Sequence, residues 1–356
     1  MTGRGIDQVL SHPSSPALHE PYVQSALEYV AMAESANGPI RKPVDSSYIW
    51  GDAAEELDRE ALAARIINLE TSITTSENYE PKGINYRMHP ANISCLTAAK
   101  IDCSVLANNH TLDWGRAGLA ETISTLRKAG IKTAGAGRNR VKALEPAVIE
   151  VSGDSRVLVF GAGITDSGIE RDWAATESKP GVALLPDLSS GTITYVAEQV
   201  RKVKRPSDIA VVSIHWGENW GYQIPRQHRV FAHQLIDLAE VDVVHGHSSH
   251  HPKGVEIYKS KPILYGCDDF INDYEGIAGY EEFRSHLVLA YFPTIDPRAK
   301  TLLHMEMTPF ETKRFRLHHV LARDAAWLRD LLTREGTPLG TQVNLNARNR
   351  LVLAWR

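Results

Sequence analysis

From Arg65 onward the chain repeats one pattern: a short apolar run, a polar loop, then apolar positions at helical spacing. Arg65–Leu69 and Cys103–Ala107 are short, apolar and bounded by polar residues, which predicts buried strands. Ala91–Lys100 between them predicts a helix. Gly118–Ala129 predicts a clearer one, with Leu119, Ile123 and Leu126 on one face and Gly130 as its stop. Ala147–Val151 and Arg156–Phe160 flank Gly153-Asp154, a hairpin signal. Thr192–Val203 and Gln227–Ala239 predict helices, alternating with strands at Asp208–Ile214 and Asp242–Val244. After Gly254 the period changes to strands: Val255–Tyr258, Pro262–Tyr265, Leu287–Phe292 and Leu302–Met307. Asp324–Arg334 predicts a last helix, flanked by Phe315–Leu317 and Val343–Asn346. Residues 11–60 predict a long connection carrying one helix, Tyr22–Ala33. Strands alternating with helices predict an α/β fold, and the strand-rich second half predicts a mixed or second sheet.

Composition narrows the function classes. The 356 residues are 43% hydrophobic and 23% charged, as in ordinary soluble globular proteins. A formal charge of −4 gives no basic surface for nucleic acid, so none is expected as a partner. Cys95, Cys103 and Cys267 share no C-x-x-C spacing, which argues against a thiolate zinc site or a disulfide framework. The chain as written carries neither an export signal nor an apolar run of transmembrane length, so a cytoplasmic protein is expected. Histidine stands out, at 15 residues, with a concentration between His215 and His251.

The polar residues fall at strand ends. Ile66–Leu69 runs into Glu70, and Ser104–Ala107 into Asn108, Asn109 and His110. Val211–Ile214 runs into His215, and Asp242–Val244 into His245-Gly246-His247, with His250 and His251 next. Open α/β sheets bind ligands outside the carboxyl ends of their strands. Carboxylate, amide oxygen and neutral imidazole form a ligand set for divalent transition metals. Two such ions would activate water and neutralise a phosphate-like or acyl oxyanion. Each residue alone has a plain structural reading: Glu70 as a cap, Asn108-Asn109 as a turn, a lone His215 as a hydrogen-bonded side chain. The case for a metal site rests on the convergence of four strand ends. Gly135-Ala136-Gly137 is half of a dinucleotide loop and too weak to carry a cofactor. Trp216, Trp220 and Tyr222 read equally as packing or as a substrate wall.

At these residues the chain resembles the CapA family of poly-γ-glutamate (capsule) synthesis proteins, a branch of the calcineurin-like metallophosphoesterases. The matching stretches are Asn68–Thr71, Ala107–Gly115, Gly135–Gly137, His215–Glu218, Gly246–His250 and Gly254–Glu256, within about residues 60–320. The resemblance implies a four-layer α/β/β/α sandwich with mixed sheets over residues 1–320, with 321–356 packed on it as a C-terminal helix and strands. It implies Glu70, Asn109, His215, His247 and His250 as metal ligands, with His251 a rival to His250. His110 would be the leaving-group acid, oriented by Asp113. Arg4 and Arg87 would hold an anionic substrate. The cofactor would be one or two divalent ions, with Mn, Fe, Zn and Mg not distinguished. Asp268 stands where the family commonly has glycine, and either strains a turn or adds a carboxylate near the cleft.

The function implied is a metal-dependent hydrolase-like protein of poly-γ-glutamate or capsule synthesis, acting on a phosphoester or an amide/acyl bond. The alternative is a non-catalytic, metal-containing partner that binds the anionic polymer or a membrane-bound polymer synthase. Met1–Asp7 resembles the tail of the family's first motif, so a natural start upstream of Met1 is expected. Such a start would supply a further strand and its Asp, and would open membrane-associated or extracellular locations.

Overall fold

The structure is a computed structural model and describes residues 1–151 and 153–356. Two sheets carry the centre of the molecule. The first joins β1 (Ile66–Asn68), β2 (Cys103–Val105) and β3 (Lys132–Ala134), all parallel, in the order β1-β2-β3. The second contains β4 (Ala147–Glu150), β5 (Arg156–Gly163), β6 (Ile209–His215), β7 (Val243–His247), β8 (Val255–Tyr258) and β9 (Lys261–Leu264). Its order is β8-β9-β7-β6-β5-β4, parallel in the middle and antiparallel at both edges. Parallel strands are covered on both faces, which is why Ala210 to His215 is buried without a break.

The two sheets face one another across Cys103, Val105, Ala134, Val159, Val211 and Val243. Their close approach explains the glycines of the half dinucleotide loop. A Cβ on Gly161 would lie 2.6 Å from the Cα of Gly135, and Gly135 itself sits at φ +82°. Helices α4 (Ser190–Val203) and α5 (Arg226–Ala239) cover the outer face of the large sheet through Ile193, Ala197, Val200, Phe231, Ala232 and Leu235. Helix α3 (Gly115–Lys128) covers the small sheet through Leu119, Ile123 and Leu126. The four-layer α/β/β/α arrangement is therefore present, with mixed sheets.

A third sheet is antiparallel. It joins β10 (Leu287–Asp296), β11 (Thr301–Lys313), β12 (Arg316–His319), β13 (Thr341–Leu345) and β14 (Leu351–Trp355), covered by α6 (Ala322–Gly336). The last strand, β14, has no counterpart in the sequence reading. Because it pairs with β11, residues after 320 belong to the same sheet as residues before it.

Two expectations are corrected. Residues 11–60 hold two helices, α1 (Ala26–Asn37) and α2 (Gly51–Arg59). The first starts late because Ser25 and Glu28 form a capping box there. Ala91–Lys100 is not one helix but a 3-10 turn, Pro90–Asn92, and a short helix, Ser94–Thr97.

Candidate metal and substrate site

The strand ends of the two sheets meet as the sequence pattern predicts. β1 delivers Glu70, β2 delivers Asn108, Asn109 and His110, and β6 and β7 end on His215 and His247, which are register partners. A ladder of amides fixes the first two: Asn108 donates to the Asn68 side-chain oxygen at 2.9 Å and to the Leu69 carbonyl at 3.0 Å. Asn68 donates in turn to Glu70 Oε2 at 2.9 Å. Glu70 Oε1 faces the crevice, 4.0 Å from the Nε2 atoms of both His110 and His215. Burial pushes the Glu70 carboxyl up to about 7.

His110 is held from behind. Its Nδ1 donates to Asp113 Oδ2 at 2.7 Å, and Asp113 Oδ1 lies 2.8 Å from the Lys82 ammonium. Burial outweighs Asp113 and lowers His110 to about 4, so the ring is neutral at pH 7 and presents Nε2 as an acceptor. The leaving-group acid that the resemblance implies needs a charged ring, and burial opposes that charge.

His215 and His247 belong to a row of rings along the face between the sheets. His215 Nε2 lies 3.0 Å from Asn109 Oδ1, and its Nδ1 lies 2.8 Å from Nδ1 of His247. His247 Nε2 lies 3.0 Å from Ser213 Oγ, which lies 2.9 Å from Nδ1 of His245. One proton per ring satisfies the whole row. The direction is assigned by the acceptor at Asn109: His245 donates to Ser213, Ser213 to His247, His247 to His215, and His215 to Asn109. Desolvation lowers all three rings, consistent with neutral imidazoles.

His250 stands across the crevice with Nδ1 donating to Asp269 at 2.7 Å. Burial opposes its charge, but Asp269 and Glu70 outweigh burial and raise its proton affinity. His251 points elsewhere, packed on Phe283 with ring centroids 4.6 Å apart. Of the two rivals, His250 is the one facing Glu70. Ser248, between these histidines, holds φ +121°, a strained value for a residue with a side chain. Its hydroxyl donates to the Gly217 carbonyl at 2.9 Å. Asp268 also has positive φ, +59°, and its carboxylate accepts from the Leu289 amide at 3.2 Å. The turn is strained and the side chain serves the third sheet.

The donors suit one divalent ion. Two ligands at ~2.1 Å from an ion lie about 3.0 Å apart at a right angle and about 4.2 Å apart when opposed. Asn109 Oδ1 to His215 Nε2 is 3.0 Å, and Glu70 Oε1 to His215 Nε2 is 4.0 Å. A cation on His215 Nε2 requires the other tautomer, which the row of rings accommodates by reversing each donor. His247 has both nitrogens engaged within that row, so it stands behind His215 and not beside it. Among the described residues no three His, Cys, Asp or Glu side chains form a group that could hold a metal ion.

The two arginines are occupied. Arg4 makes paired bonds to Asp273 at 2.7 and 3.1 Å and a third to Glu20 at 2.9 Å, all buried. Arg87 bonds Glu77 at 2.9 Å and lies over the Trp114 ring. Of the aromatics, Trp216 is buried and stacked on His228, whereas Trp220 stacks on the half-exposed Tyr280 at 3.9 Å and leans on His250. The sequence pattern gave no role to Lys82, Asp269, Ser213 or His228. His228 Nε2 bonds Asp166 at 2.8 Å beside the crevice. Only Asp269 had a signal, its place beside Asp268.

A probable polyglutamine synthesis accessory protein of Mycobacterium tuberculosis is 45% identical over 345 residues, covering 96% of this chain and 90% of its own. The PGA biosynthesis protein CapA of Bacillus subtilis is 28% identical over 209 residues, 58% of this chain and 52% of its own. A solved structure described as a novel phosphatase from Mycoplasma pneumoniae matches with a TM-score of 0.46 at 12% identity, covering 74% of this chain and 88% of that one. The family model described as bacterial capsule synthesis protein PGA_cap matches residues 1–274, more than half of the chain, and the chain belongs to that family.

Proposed function

We propose that this protein is a metal-dependent, hydrolase-like member of its capsule synthesis family, acting on a phosphoester or an amide/acyl bond of a substrate linked to an anionic polymer. The observation that carries the reading is the meeting of Glu70, Asn109, His110 and His215 from three strand ends, with Asn109 Oδ1 3.0 Å from His215 Nε2 and Glu70 Oε1 4.0 Å from the Nε2 atoms of His110 and His215. A divalent ion held by Glu70, Asn109 and His215 would supply Lewis-acid polarisation of an oxyanion or of water. The chain's own groups orient around that point. Lys82 fixes Asp113, Asp113 fixes the His110 ring, and His110 Nε2 is placed to take up or hold a proton at a reacting oxygen. Trp220, stacked on Tyr280 and leaning on His250, forms one wall.

The test is hydrolysis by the purified protein of p-nitrophenyl phosphate, bis-p-nitrophenyl phosphate and a γ-glutamyl anilide, with Mn²⁺, Zn²⁺ or Mg²⁺ and with chelator. Metal-dependent turnover of one substrate, lost in His215→Ala, is the expected outcome. No turnover with any metal overturns the catalytic reading.

The position of His247 favours a second reading. Because its nitrogens are both engaged, a paired-ion site needs that ring to move. A single structural ion then suits a non-catalytic partner that binds the anionic polymer or its membrane-bound synthase. Co-purification with the synthase, without turnover, is the outcome that selects it. Among the described residues no helix is long and apolar enough to cross a membrane.

A further inference from the structure

Two tyrosines beside the proposed cation site share one hydrogen bond. Tyr86 is buried and meets the His110 ring edge-on, with centroids 4.5 Å apart. Tyr274 is half-buried and meets the His250 ring edge-on at 5.3 Å. Their hydroxyls are 3.0 Å apart, so the pair links the two histidines. The Tyr274 hydroxyl also lies 3.6 Å from the Met1 sulfur. Met1 is followed by Thr2, whose amide donates to Thr71 Oγ1 at 2.9 Å, and Thr71 follows Glu70. These contacts place the phenol among His110, His250 and the strand end that carries Glu70.

The acceptors assign the protons of the pair. Each phenol carries one proton at neutral pH, and only one of the two fills the shared bond. Were Tyr274 to donate to Tyr86, the buried Tyr86 proton would be left without an acceptor: the group over its ring is the Arg4 guanidinium, 4.5 Å from the centroid, which accepts nothing. Tyr86 therefore donates to Tyr274, and Tyr274 turns its own proton toward the Met1 sulfur. A thioether is a weak acceptor, so an oxyanion competes for that proton with ease. The backbone around Tyr274 is pinned on both sides. Asp273 takes two bonds from Arg4, and Glu275 accepts the amides of Arg314 and Phe315 at 2.6 and 2.8 Å. The Tyr274 amide itself donates to Asn272 Oδ1 at 3.0 Å. A donor fixed in this way needs little reorganisation to act.

The crevice is rich in acceptors: Glu70, Asn109 Oδ1 and the neutral His110 Nε2. A bound oxyanion needs donors as well, and Arg4 and Arg87 are occupied. We propose that Tyr274 donates a hydrogen bond to an oxyanion of the bound ligand, a phosphate or a carboxylate, and that Tyr86 positions it. The inference rests on the proposed function for the existence of such a ligand, and adds the donor that recognises it. Arg4 then serves the ligand at one remove, by fixing Asp273 next to Tyr274.

The experiment uses two probes, inorganic phosphate and tri-γ-glutamate, titrated calorimetrically into the protein with and without Mn²⁺. Wild type is expected to bind at least one of them, and the preferred probe names the source of the oxyanion. Tyr274→Phe keeps the ring and its contact with His250, and should weaken that binding about tenfold or more. Tyr86→Phe should weaken it about threefold, because Tyr274 loses the donor that orients it. Metal content should be equal in all three proteins. Binding should also shift the ultraviolet absorbance of tyrosine in wild type and not in Tyr274→Phe, a signature that a purely structural hydroxyl would not give. Should Tyr274→Phe fold poorly, Tyr86→Phe decides, and equal affinity there overturns the inference. Equal affinity in a folded Tyr274→Phe, an unchanged tyrosine spectrum, or no binding of either probe by wild type overturns it too. Absence of hydrolysis with Tyr274-dependent binding intact would remove the catalytic reading alone. Hydrolysis intact with no dependence on Tyr274 would remove this inference alone.

Discussion

The two ends of the six-stranded sheet use similar residues to opposite effect. At the amino end, Asp208 receives two bonds from Arg156, at 3.0 and 2.5 Å. Asp242 receives Lys204 and Lys261 at 2.8 Å each, plus the Ala210 amide at 2.9 Å. At the carboxyl end, five to seven residues along the same strands, His247 and His215 are neutral rings, and the Glu70 carboxyl that meets them from the smaller sheet is pushed up to about 7. The first end closes the sandwich with paired charge. The second gathers groups whose charge burial suppresses, and these are the groups free to meet a cation or a substrate. What separates structure from chemistry here is whether the fold supplies each group with an opposite charge.

Acid should expose that difference most strongly. His110, His215, His245 and His247 all have proton affinities below the ordinary histidine range in the folded state. The unfolded chain therefore takes up protons first as pH falls below about 6.5, and stability falls with it by about 1.4 kcal/mol per pH unit per histidine. For His110 and His245 this continues to about 4. Glu70, raised to about 7, works the other way between its unfolded value and 7. Four rings outweigh one carboxyl, so metal-free Tm should drop steadily from pH 6.5 to 4.5. Over that range Asp208 stays ionised, since Arg156 overcomes the burial that would raise it. A flat Tm profile would break the comparison.

Next in size is Asp242→Asn. It leaves Lys204 and Lys261 short of a counter-charge at the closed end, and about 3 kcal/mol of destabilisation is expected, with metal content unchanged. Denaturant melts and metal analysis together check it. Loss of metal in this variant would mean that the two ends are coupled.

His215→Ala should do the reverse: about 100-fold or greater loss of metal affinity with a smaller change in stability. His247→Ala, acting through His215, should lose about 10- to 100-fold. Equal occupancy in both variants would remove the site, and equal losses would place His247 in direct contact with the ion. His304, about half exposed on the third sheet, is a suitable control.

The smallest effect expected is at His228. Replacing it with alanine removes the Asp166 bond and the stack on Trp216, at a cost of about 1–2 kcal/mol. A Tm equal to wild type would show that neither the Asp166 bond nor the Trp216 stack contributes to stability.

The sequence by itself determined the strands and helices of the sandwich, because their periodicity is local: Leu119, Ile123 and Leu126 report a covered helix face wherever the helix is placed. It also determined which polar residues end the strands. Glu70, Asn109, His110, His215 and His247 were legible because a parallel sheet puts all its carboxyl ends on one side. Direction and partners within that crevice were decided only by tertiary structure. Whether Arg4 faces a substrate or Asp273 depends on a contact across 269 residues, and local pattern holds no trace of it. The same holds for His250 over His251, for Asp269 behind His250, and for Lys82 behind Asp113, which lies on the far side of an irregular loop. Pairing is a property of three-dimensional distance, and a group's charge state follows from its pairing and its dryness. The sequence could therefore name the ionisable residues of this protein, while only the fold could decide which remain available for chemistry.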